Sequence, residues 1–377
     1  MRQIPVAPPL PWQAPVIPAP WQTSPASAQD STATLLTEDE LLRIFHEQIA
    51  PRHSGIPSEH PVALVIVGQP GAGKSVAERQ LSAMLGLQNT VSIDGDGFYS
   101  DHPAYLRNAR RNDLNAMDMV LSQAVPRWGH MITEHAIHSR WNLTLGTSPS
   151  EANVAQLCSG LRSNGYRVEL AFLAVNDAIS RQGIIDRYLR GRATQGYGRW
   201  VDLGLHDRVY HDFRAAAGLV DQRLSADAVH VINRQGELLH TKRLVNRGGG
   251  LVTWDKSSTT FDYITAEQHR EWTAEERKTY AKAWSRIERN LLTYGSCVPG
   301  LKMLVRQERA SHAERESRAR DLAYAGIAHA AAVHTHRRSR SSGDGVREVI
   351  QIHGTRMLPP ATAAQWKAPS PPGARGR

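Results

Sequence analysis

A run of six apolar residues, Val62–Val67, leads directly into a glycine-rich stretch that ends in Gly73-Lys74-Ser75. The pattern G-x-x-x-x-G-K-S is typical of a phosphate-binding loop (P-loop), whose backbone N–H groups surround phosphate oxygens. Such a loop joins a buried strand to a helix, because the positive N-terminal end of the helix completes the phosphate site. The apolar run predicts that strand, and residues 76–85 predict the helix. This junction restricts the chain to an α/β fold with a nucleotide site at a strand end.

The loop also predicts which residues bind which part of the nucleotide. Lys74 is expected to reach the β- and γ-phosphates of ATP, and the hydroxyl of Ser75 is expected to bind Mg²⁺. Backbone groups of the loop and of the first helical turn are expected to bind the remaining phosphate oxygens. ATP and Mg²⁺ are thus the expected cofactors. The predicted ATP-binding residues are Gly68, Gly71, Ala72, Gly73, Lys74, Ser75 and Val76.

Composition narrows the classes of protein that remain. The chain has 377 residues, a formal net charge of +9 and two cysteines, Cys158 and Cys297. Two cysteines are too few for a disulfide framework, which indicates folding in a reducing compartment. No apolar run approaches the roughly 18 residues that a membrane-spanning helix needs, so no membrane span is expected. The positive charge favours a polyanionic ligand such as ATP, and it leaves contact with nucleic acid or a membrane surface open.

Short apolar segments alternate with helical patterns along most of the chain. Strands are predicted at 62–67, 91–93, 143–145, 167–175 and 229–233, the last of which precedes a turn. Helices are predicted at 37–49, 76–85, 112–125, 131–140, 151–164, 177–190 and 205–217, and helical runs at 265–292 and 304–333. Strands that alternate with helices predict a parallel sheet covered on both faces.

The composition also divides the chain into four parts. Residues 1–33 are rich in Pro, Ala, Ser and Gln and are predicted to be disordered, either as a tail or as an uncleaved export signal. A P-loop domain is predicted for 34–245, a helical accessory region for 246–345, and a mostly disordered tail for 346–377. The predicted fold class is α/β: a P-loop kinase-like parallel sheet flanked by helices, with a helical C-terminal extension and disordered termini.

Two carboxylates follow the second predicted strand. Asp94 and Asp96 come directly after Val91–Ile93, a strand expected to neighbour the P-loop strand. Ligands of open α/β sheets bind at the carboxyl ends of the strands. Asp-Gly pairs also form turns, but phosphoryl transfer needs a group that orients or accepts the proton of the acceptor hydroxyl. The position beside the P-loop favours that catalytic role.

Three segments resemble the zeta-toxin family of P-loop kinases, namely GQPGAGKS, IDGDGF and HPAY, which begin at Gly68, Ile93 and His102. The resemblance extends over about residues 60–240 and implies ATP-dependent phosphorylation of a hydroxyl group. It implies that Asp96, the second aspartate of its motif, activates the acceptor hydroxyl and that Lys74 binds phosphate. It also identifies the P-loop domain as a zeta-toxin-like kinase domain.

The resemblance further implies two arginines that stabilise the transition state. The segment RQGIIDRY is similar to the helix that carries the first, which is Arg187 in this chain. The segment GRWVDLGLHD resembles the lid that carries the second, Arg199. Each would neutralise charge on the equatorial oxygens of the transferred phosphoryl group. Arg192 is an alternative candidate for the lid position.

Acceptor-side residues are implied as well. The segment MITEHAIHSR looks like the family's acceptor-side helix, which makes Glu134 a substrate-binding candidate. His102 matches the His-Pro pair of the family. Asp94 and Thr147 are further candidates for substrate binding.

One position departs from the family pattern. The family has Glu-Gly-Thr after its third strand, where the Glu binds the sugar acceptor, whereas this chain has Leu145-Gly146-Thr147. The acceptor pocket is therefore altered. Two acceptors follow from the resemblance: UDP-N-acetylglucosamine, which the toxins phosphorylate, and NAD, which a related branch of type III effectors phosphorylates on its adenosine ribose.

Two other functions stay open from the residues. A polynucleotide kinase would need aromatic platforms beside a basic groove, and aromatic residues make up only 6% of the chain. A nucleotide-dependent switch without turnover would account for the missing carboxylate at position 145.

The expected partners are ATP and a small-molecule acceptor. A toxin also needs a neutralising partner, and a small acidic antitoxin or a chaperone would suit the positive charge. Nucleic acid is not an expected partner. The expected compartment is the bacterial cytoplasm, or a host cell reached through a type III secretion system.

Overall fold

The computed structural model describes residues 35–110, 116–147, 151–248, 250–294 and 300–311. The predicted disordered segments 1–33 and 346–377, and the predicted helix beyond residue 311, lie outside these ranges. The division of the chain into four parts stays a prediction. Within the described ranges, no helix is both long and apolar enough to cross a membrane.

A seven-stranded sheet forms the centre, in the order β2-β3-β1-β4-β5-β6-β7. The first five strands along the chain are parallel, and the last two extend one edge in antiparallel orientation. The strands are β1 (Val62–Val67), β2 (Thr90–Asp94), β3 (Asn142–Thr147), β4 (Arg167–Leu173), β5 (Ala228–Ile232), β6 (Leu238–Asn246) and β7 (Val252–Trp254). The five predicted strands and the predicted P-loop kinase-like α/β class are confirmed.

Two details of the predicted sheet are wrong. Residues 229–233 are not the last strand, because β6 and β7 follow the turn after β5. The two buried positions of β6 are His240 and Lys242, so the strand lacks the apolar alternation that would have revealed it. Strand β2 also does not neighbour the P-loop strand β1, because β3 lies between them.

Ten helices surround the sheet within the described ranges. They are α1 (Glu38–Ile44), α2 (Lys74–Met84), α3 (Tyr105–Arg110), α4 (Ala116–His138), α5 (Glu151–Ser163), α6 (Asp177–Gln195), α7 (Leu203–Arg223), α8 (Thr260–His269), α9 (Ala274–Tyr294) and α10 at 301–311. Helix α1 begins at a capping box in which the Thr37 hydroxyl accepts from Glu40 N and the Glu40 carboxylate accepts from Thr37 N. It continues as a π-helical turn, Phe45–Ile49.

Helix α4 replaces the two helices predicted at 112–125 and 131–140. It runs through Pro126 without ending, although an interior proline removes a helical hydrogen bond. Tertiary packing maintains the helix on the far side of the proline. Trp128 and Ile132 are fully buried in the core, and Trp128 Nε1 donates to Leu41 O at 3.0 Å.

Alternate residues of β1 face two different helical layers, as the two-residue period of a strand requires. Ala63, Val65 and Val67 belong to a core cluster with side chains of α1, α4, α5 and α7. Leu64 and Ile66 pack instead with Ala77 and Leu81 of α2. The sheet is therefore covered on both faces, and the carboxyl ends of its parallel strands remain as the edge where the P-loop begins.

The helices α9 and α10 pack on α6. Tyr280, Trp284 and Ile287 of α9 share a cluster with Tyr188 and Leu189 of α6 and with Leu301 and Val305 of α10. The Asp186 carboxylate accepts two hydrogen bonds from Arg286, at 2.8 and 2.9 Å. Helix α6 is thus held between the loop after β1 and the C-terminal helices.

Candidate active site

The P-loop lies tightly against α6. Gly71 and Gly73 have φ values of +78° and +102°, a region that favours glycine. A Cβ atom at Gly71 would overlap the carbonyl oxygen of Ser180, and one at Gly183 would lie 2.6 Å from Gly71 O. Glycine on both sides of the contact therefore lets the loop and the helix pack backbone against backbone.

Lys74 opens α2 and turns its side chain back into the loop, where Nζ donates to Gly68 O at 2.9 Å. Its pKa is lowered to about 8, first by burial and further by the charges of Arg199 and Arg187, against the opposing charge of Asp94. A bound anion would reverse this effect. Ser75 follows on the exposed side of the first helical turn, and Ala72 is buried beneath the loop.

Asp94 and Asp96 lie where β2 ends. The Asp94 carboxylate accepts from Asp96 N at 3.2 Å and caps the short 3₁₀ helix Gly95–Asp101. Asp94 pairs with Gly146 of β3, whose neighbour in β1 is Ile66. The Asp96 side chain is 39% exposed. Both carboxylates therefore lie at the same sheet edge as the P-loop, with β3 in between.

Two arginines converge on Asp96. Arg187 of α6 places Nη1 3.5 Å from Asp96 Oδ2, and Arg199 Nη1 forms a direct ion pair with the same oxygen. Burial lowers the pKa of both guanidinium groups, that of Arg199 to about 10. Within the described ranges, Nε and Nη2 of Arg187 and Nε of Arg199 are buried and have no hydrogen-bond partner. The site therefore holds more cationic donors than the Asp96 carboxylate satisfies.

The segment 196–202, hereafter the lid segment, carries Arg199 and packs onto both α6 and the residues after β2. A Cβ atom at Gly198 would overlap the carbonyl oxygen of Tyr188. The Arg199 guanidinium lies 4.4 Å from the centre of the Tyr99 ring, a cation–π contact. These contacts place Arg199, and not Arg192, against Asp96. Arg192 also has buried nitrogen atoms, Nε and Nη1, without a partner, but it makes no described contact to either aspartate.

Two neighbours of the site, Tyr105 and Arg234, were not identified from the sequence. Tyr105 stacks on Tyr99 with ring centres 5.4 Å apart, and Tyr197 of the lid segment meets Tyr105 edge-on at 6.2 Å. Arg234, in the turn after β5, donates from Nη1 to Gly71 O at 3.0 Å. The recurrence of tyrosine around the Asp96 motif was the available signal for the ring cluster. Arg234 gave none, because its partner lies 163 residues away.

His102 and Thr147 lie near the site without contacting Asp96. Thr147 ends β3, and its carbonyl oxygen accepts from Gly68 N at 3.4 Å, so it borders the P-loop. His102 is buried, and its Nδ1 accepts from Ala104 N at 3.2 Å. Burial lowers the pKa of His102. His102 therefore shapes the turn between the 3₁₀ helix and α3.

Glu134 is the predicted site residue that the structure does not bring to the others. Helix α4 approaches the site at Val125, which packs against Gly95. Glu134 lies nine residues further along, about 14 Å at the rise of a helix, towards the start of β3. Its Oε1 atom is 3.5 Å from His130 Nε2. Spacing in the sequence could not show this, because α4 was predicted as two helices.

Leu145 occupies the position at which the family pattern has a glutamate. Its side chain is 6% exposed and belongs to the core cluster that includes Ile93 and Leu143. A glutamate would be costly in this apolar layer. The surrounding core has thus adapted to leucine.

A cavity of about 640 Å³ lies at the opposite edge of the sheet. It is bordered by Arg162, Arg167 and Arg223 near the C-terminal ends of α5 and α7. Such ends favour cations, and Arg162 already donates to Asp227 and to Leu224 O. These arginines therefore have a structural explanation, and the P-loop edge is the better candidate for chemistry.

Comparison with known families agrees with this geometry. A family model described as "Zeta toxin" matches residues 48–244, which is more than half of the chain and contains β1, the P-loop, Asp96 and both arginines. The chain belongs to the zeta toxin family. The matched range ends within β6, so α8, α9 and α10 lie outside it.

One curated relative and two solved structures are similar to this chain. Toxin PezT of Streptococcus pneumoniae serotype 4 is 32% identical over 135 residues, covering 35% of this chain and 51% of PezT. The chain thus matches about half the length of this curated relative. The structure of the PezAT chromosomal toxin-antitoxin system of S. pneumoniae has a TM-score of 0.56 at 17% identity, covering 69% of this chain and 99% of that one, and supports the shared fold. A structure of AvrRxo1-ORF1:-ORF2 with ATP covers 67% and 82% at 12% identity, with a TM-score of only 0.41.

Proposed function

We propose that this zeta toxin family member is an ATP-dependent kinase that transfers the γ-phosphate to a hydroxyl group of a nucleotide-type metabolite. The observation that carries the proposal is the convergence of Arg187 and Arg199 on Asp96 beside a P-loop. Phosphoryl transfer needs a phosphate cradle, cations around the transferred group and a group that orients the acceptor. The site offers all three within one sheet edge.

The residues at the P-loop fit a triphosphate. Lys74 has a lowered pKa because it is buried near other cations, and the guanidinium groups have buried N–H donors without acceptors. Phosphate oxygens would satisfy these donors and restore the charge of Lys74. Backbone N–H groups at the start of α2 would supply the remaining contacts.

Mg²⁺ would be held by few protein ligands. The described residues contain no group of three His, Cys, Asp or Glu side chains that could share a metal ion. Mg²⁺ in kinase sites is commonly bound through one or two protein groups together with substrate phosphates. The Ser75 hydroxyl is the proposed protein ligand. The bound ion would supply neutralisation of charge on the phosphate oxygens.

Asp96 is the proposed general base. The acceptor oxygen attacks the γ-phosphorus, its proton passes to Asp96 and ADP leaves. Arg199 is paired with Oδ2 of Asp96. Phosphate oxygens would compete for the same guanidinium group, which would free Asp96 for the acceptor and place the arginine on the developing charge.

The acceptor follows from what the pocket lacks. With Leu145 buried in the core, no carboxylate from that position is present to bind a sugar hydroxyl. NAD, whose adenosine ribose would be the acceptor, therefore ranks before UDP-N-acetylglucosamine. The exposed part of Tyr197, beside Tyr105, offers an aromatic surface that suits either nucleotide base.

Mass spectrometry tests the proposal directly. The wild-type protein is incubated with Mg-ATP and either NAD or UDP-N-acetylglucosamine, and Asp96→Asn serves as the control. We expect one added phosphate on NAD, absent with Asp96→Asn. Phosphate on UDP-N-acetylglucosamine alone would support the kinase assignment and replace NAD as the proposed acceptor. Full turnover by Asp96→Asn would show that Asp96 is not the general base.

A nucleotide-binding switch without turnover is the second candidate, and one observation favours it. The proposed base is already paired with Arg199, as a site that only binds nucleotide would allow. The same experiment separates the two functions, since a switch would bind ATP and leave both acceptors unmodified.

The proposal extends to a partner and a compartment. The PezAT structure is that of a toxin-antitoxin system, and the net charge of this chain is +9. We propose a small acidic antitoxin or chaperone as its partner. Its proposed site of action is the bacterial cytoplasm, or a host cell entered by type III secretion.

A further inference from the structure

A chain of hydrogen bonds leads from the P-loop into the protein. Gln69, the second residue of the loop, is fully buried, and its Nε2 donates to Val175 O at 2.8 Å and to Ser180 Oγ at 3.3 Å. Ser180 Oγ lies 2.8 Å from His206 Nε2, and His206 Nδ1 lies 2.9 Å from Asp207 Oδ1. The P-loop is thus connected through α6 to α7.

The direction of these hydrogen bonds follows from the chemistry of the groups. A carboxylate only accepts, so His206 Nδ1 carries the proton that faces Asp207. Burial lowers the pKa of His206, despite the opposing effect of Asp207, so the ring is neutral near pH 7 and Nε2 accepts. The Ser180 hydroxyl accepts from Gln69 and has three acceptors in range, of which His206 Nε2 at 2.8 Å is nearer than Asp177 O at 3.0 Å and Asn176 O at 3.2 Å. Gln69 Nε2 is the donor both to Val175 O and to Ser180 Oγ, and these two contacts fix the orientation of the Gln69 amide.

Ser180, His206 and Asp207 have the hydrogen-bond order of a nucleophilic triad. Their burial argues against that chemistry, because Ser180 and His206 are both 0% exposed. A substrate cannot reach Ser180 Oγ, which lies beneath the P-loop. The geometry serves orientation and not nucleophilic attack.

The series of hydrogen bonds continues to residues outside the range that the family model matches. Arg181 donates to Asp207 through Nη1, and to Glu308 of α10 through Nη2 and through Nε, the last at 2.7 Å. Hydrogen bonding to Glu308 raises the pKa of Arg181. The Arg181 and Glu308 side chains are only 16% and 11% exposed. Asp207, at 48% exposed, is the member whose position depends most on Arg181.

We propose that this array, defined as Ser180, Arg181, His206, Asp207 and Glu308, positions the P-loop through Gln69, so that α10 sets the affinity for the nucleoside triphosphate. If Glu308 is lost, Arg181 is free to rotate towards Asp207, and Asp207 no longer holds His206 in one orientation. Ser180 then loses its nearest acceptor, and its hydroxyl turns to the carbonyl oxygens of Asp177 and Asn176. Gln69 keeps its bond to Val175 O, but its contact with Ser180 is weakened and the loop is held less firmly. These are positioning residues, and the inference rests on the proposed binding of ATP at the P-loop.

The chain provides a matched control. Arg309, next to Glu308 in α10, forms an ion pair with Glu288 of α9. This pair also anchors α10, but it does not lead to the P-loop. Glu308→Gln and Arg309→Gln therefore each remove one anchor of the same helix, the first largely buried and the second exposed, and only the first interrupts the array.

The test measures the Kd of Mg-ATP by calorimetry for the full-length protein and the two variants, with thermal unfolding recorded in parallel. We expect Glu308→Gln to raise the Kd by about fivefold or more, within the usual range of coupling between two sites. Arg309→Gln is expected to change it less than about twofold, since surface ion pairs contribute little. Equal shifts in the two variants would overturn the inference.

A double-mutant cycle separates positioning from general loss of stability. Gln69→Leu removes the amide that the array holds, so Glu308→Gln should have no further effect on the Kd in that background, whereas Arg309→Gln should remain additive. Ser180→Ala replaces Gln69→Leu if the latter does not fold. Additive effects of Glu308→Gln with either variant would refute the coupling. Wild-type protein that fails to bind ATP would instead refute the proposed function, and the inference with it.

Discussion

Arg181 and Arg187 lie six residues apart on α6, and their surroundings are opposite. Arg181 is fully paired with Asp207 and Glu308, and this pairing raises its pKa. Arg187 has one long contact to Asp96 and two buried nitrogens without partners, and burial lowers its pKa. Arg199 resembles Arg187, and Arg286, bound to Asp186, resembles Arg181. The fully paired arginines hold helices together, whereas those with buried N–H groups that lack an acceptor indicate where an anion belongs.

The largest expected effect is on Arg199, which is paired with Asp96 but keeps a buried Nε without a partner. Arg199→Gln should lower kcat by about 10³-fold or more, because an arginine on the transferred phosphoryl group contributes at least that much. Its removal should change the melting temperature little, because the lost contacts with Asp96 and Tyr99 are offset by the loss of a buried, incompletely satisfied charge. Steady-state kinetics and calorimetry on the same preparation check both parts. A marked fall in stability would place Arg199 among the structural arginines.

Asp96→Asn is expected to lower kcat by about 10²- to 10⁴-fold, the usual contribution of a general base. ATP affinity should be preserved or improved, because Arg187 and Arg199 lose their competing carboxylate. Isothermal titration with ATP, together with the mass-spectrometric assay, separates the two effects. Loss of ATP binding in a folded variant would mean that Asp96 acts on the nucleotide and not on the acceptor.

ATP binding should depend on pH through Lys74. Its pKa in the folded protein, about 8, lies below the ordinary value of 10.5, so between these values the free site is mostly neutral and binding must take up a proton. The Kd of ATP should therefore rise about tenfold per pH unit above about 8. The Lys74 amine binds its proton more tightly in the unfolded chain than in the folded protein. Its contribution to the free energy of unfolding therefore increases as the pH rises from about 8 to 10.5. Lys74→Gln should weaken binding and remove the slope. A wild-type Kd that is constant from pH 7 to 10 would contradict the assignment.

The smallest expected effect is on a paired group. Arg286→Gln should lower the free energy of unfolding by about 1–2 kcal/mol, because it removes two charged hydrogen bonds from a partly exposed pair. The kcat of the folded variant should stay within about threefold of wild type. Chemical denaturation and kinetics together check this. A large loss of kcat without a loss of stability would show that α9 acts on the site.

The sequence predicted those parts of the site whose position depends only on neighbouring residues. The P-loop, the strand before it and Asp96 follow each other within 35 residues, and each is fixed by its own turn or strand end. Arg187 and Arg199 were assigned through the family resemblance, because an arginine on a helix has no signature of what it will face. The failures are tertiary: the continuity of α4 through Pro126, the place of Glu134, and the contact of Arg234 with Gly71 all depend on packing between distant segments.

The glycine contact between the P-loop and α6 has a kinetic consequence. Because Gly71 and Gly183 meet backbone to backbone, the loop already has a defined shape before any phosphate arrives. The conformational entropy of that shape is lost when the protein folds, not when the nucleotide binds. Encounter with ATP therefore proceeds onto a preorganised surface, and its association rate is set by diffusion and charge more than by rearrangement of the loop.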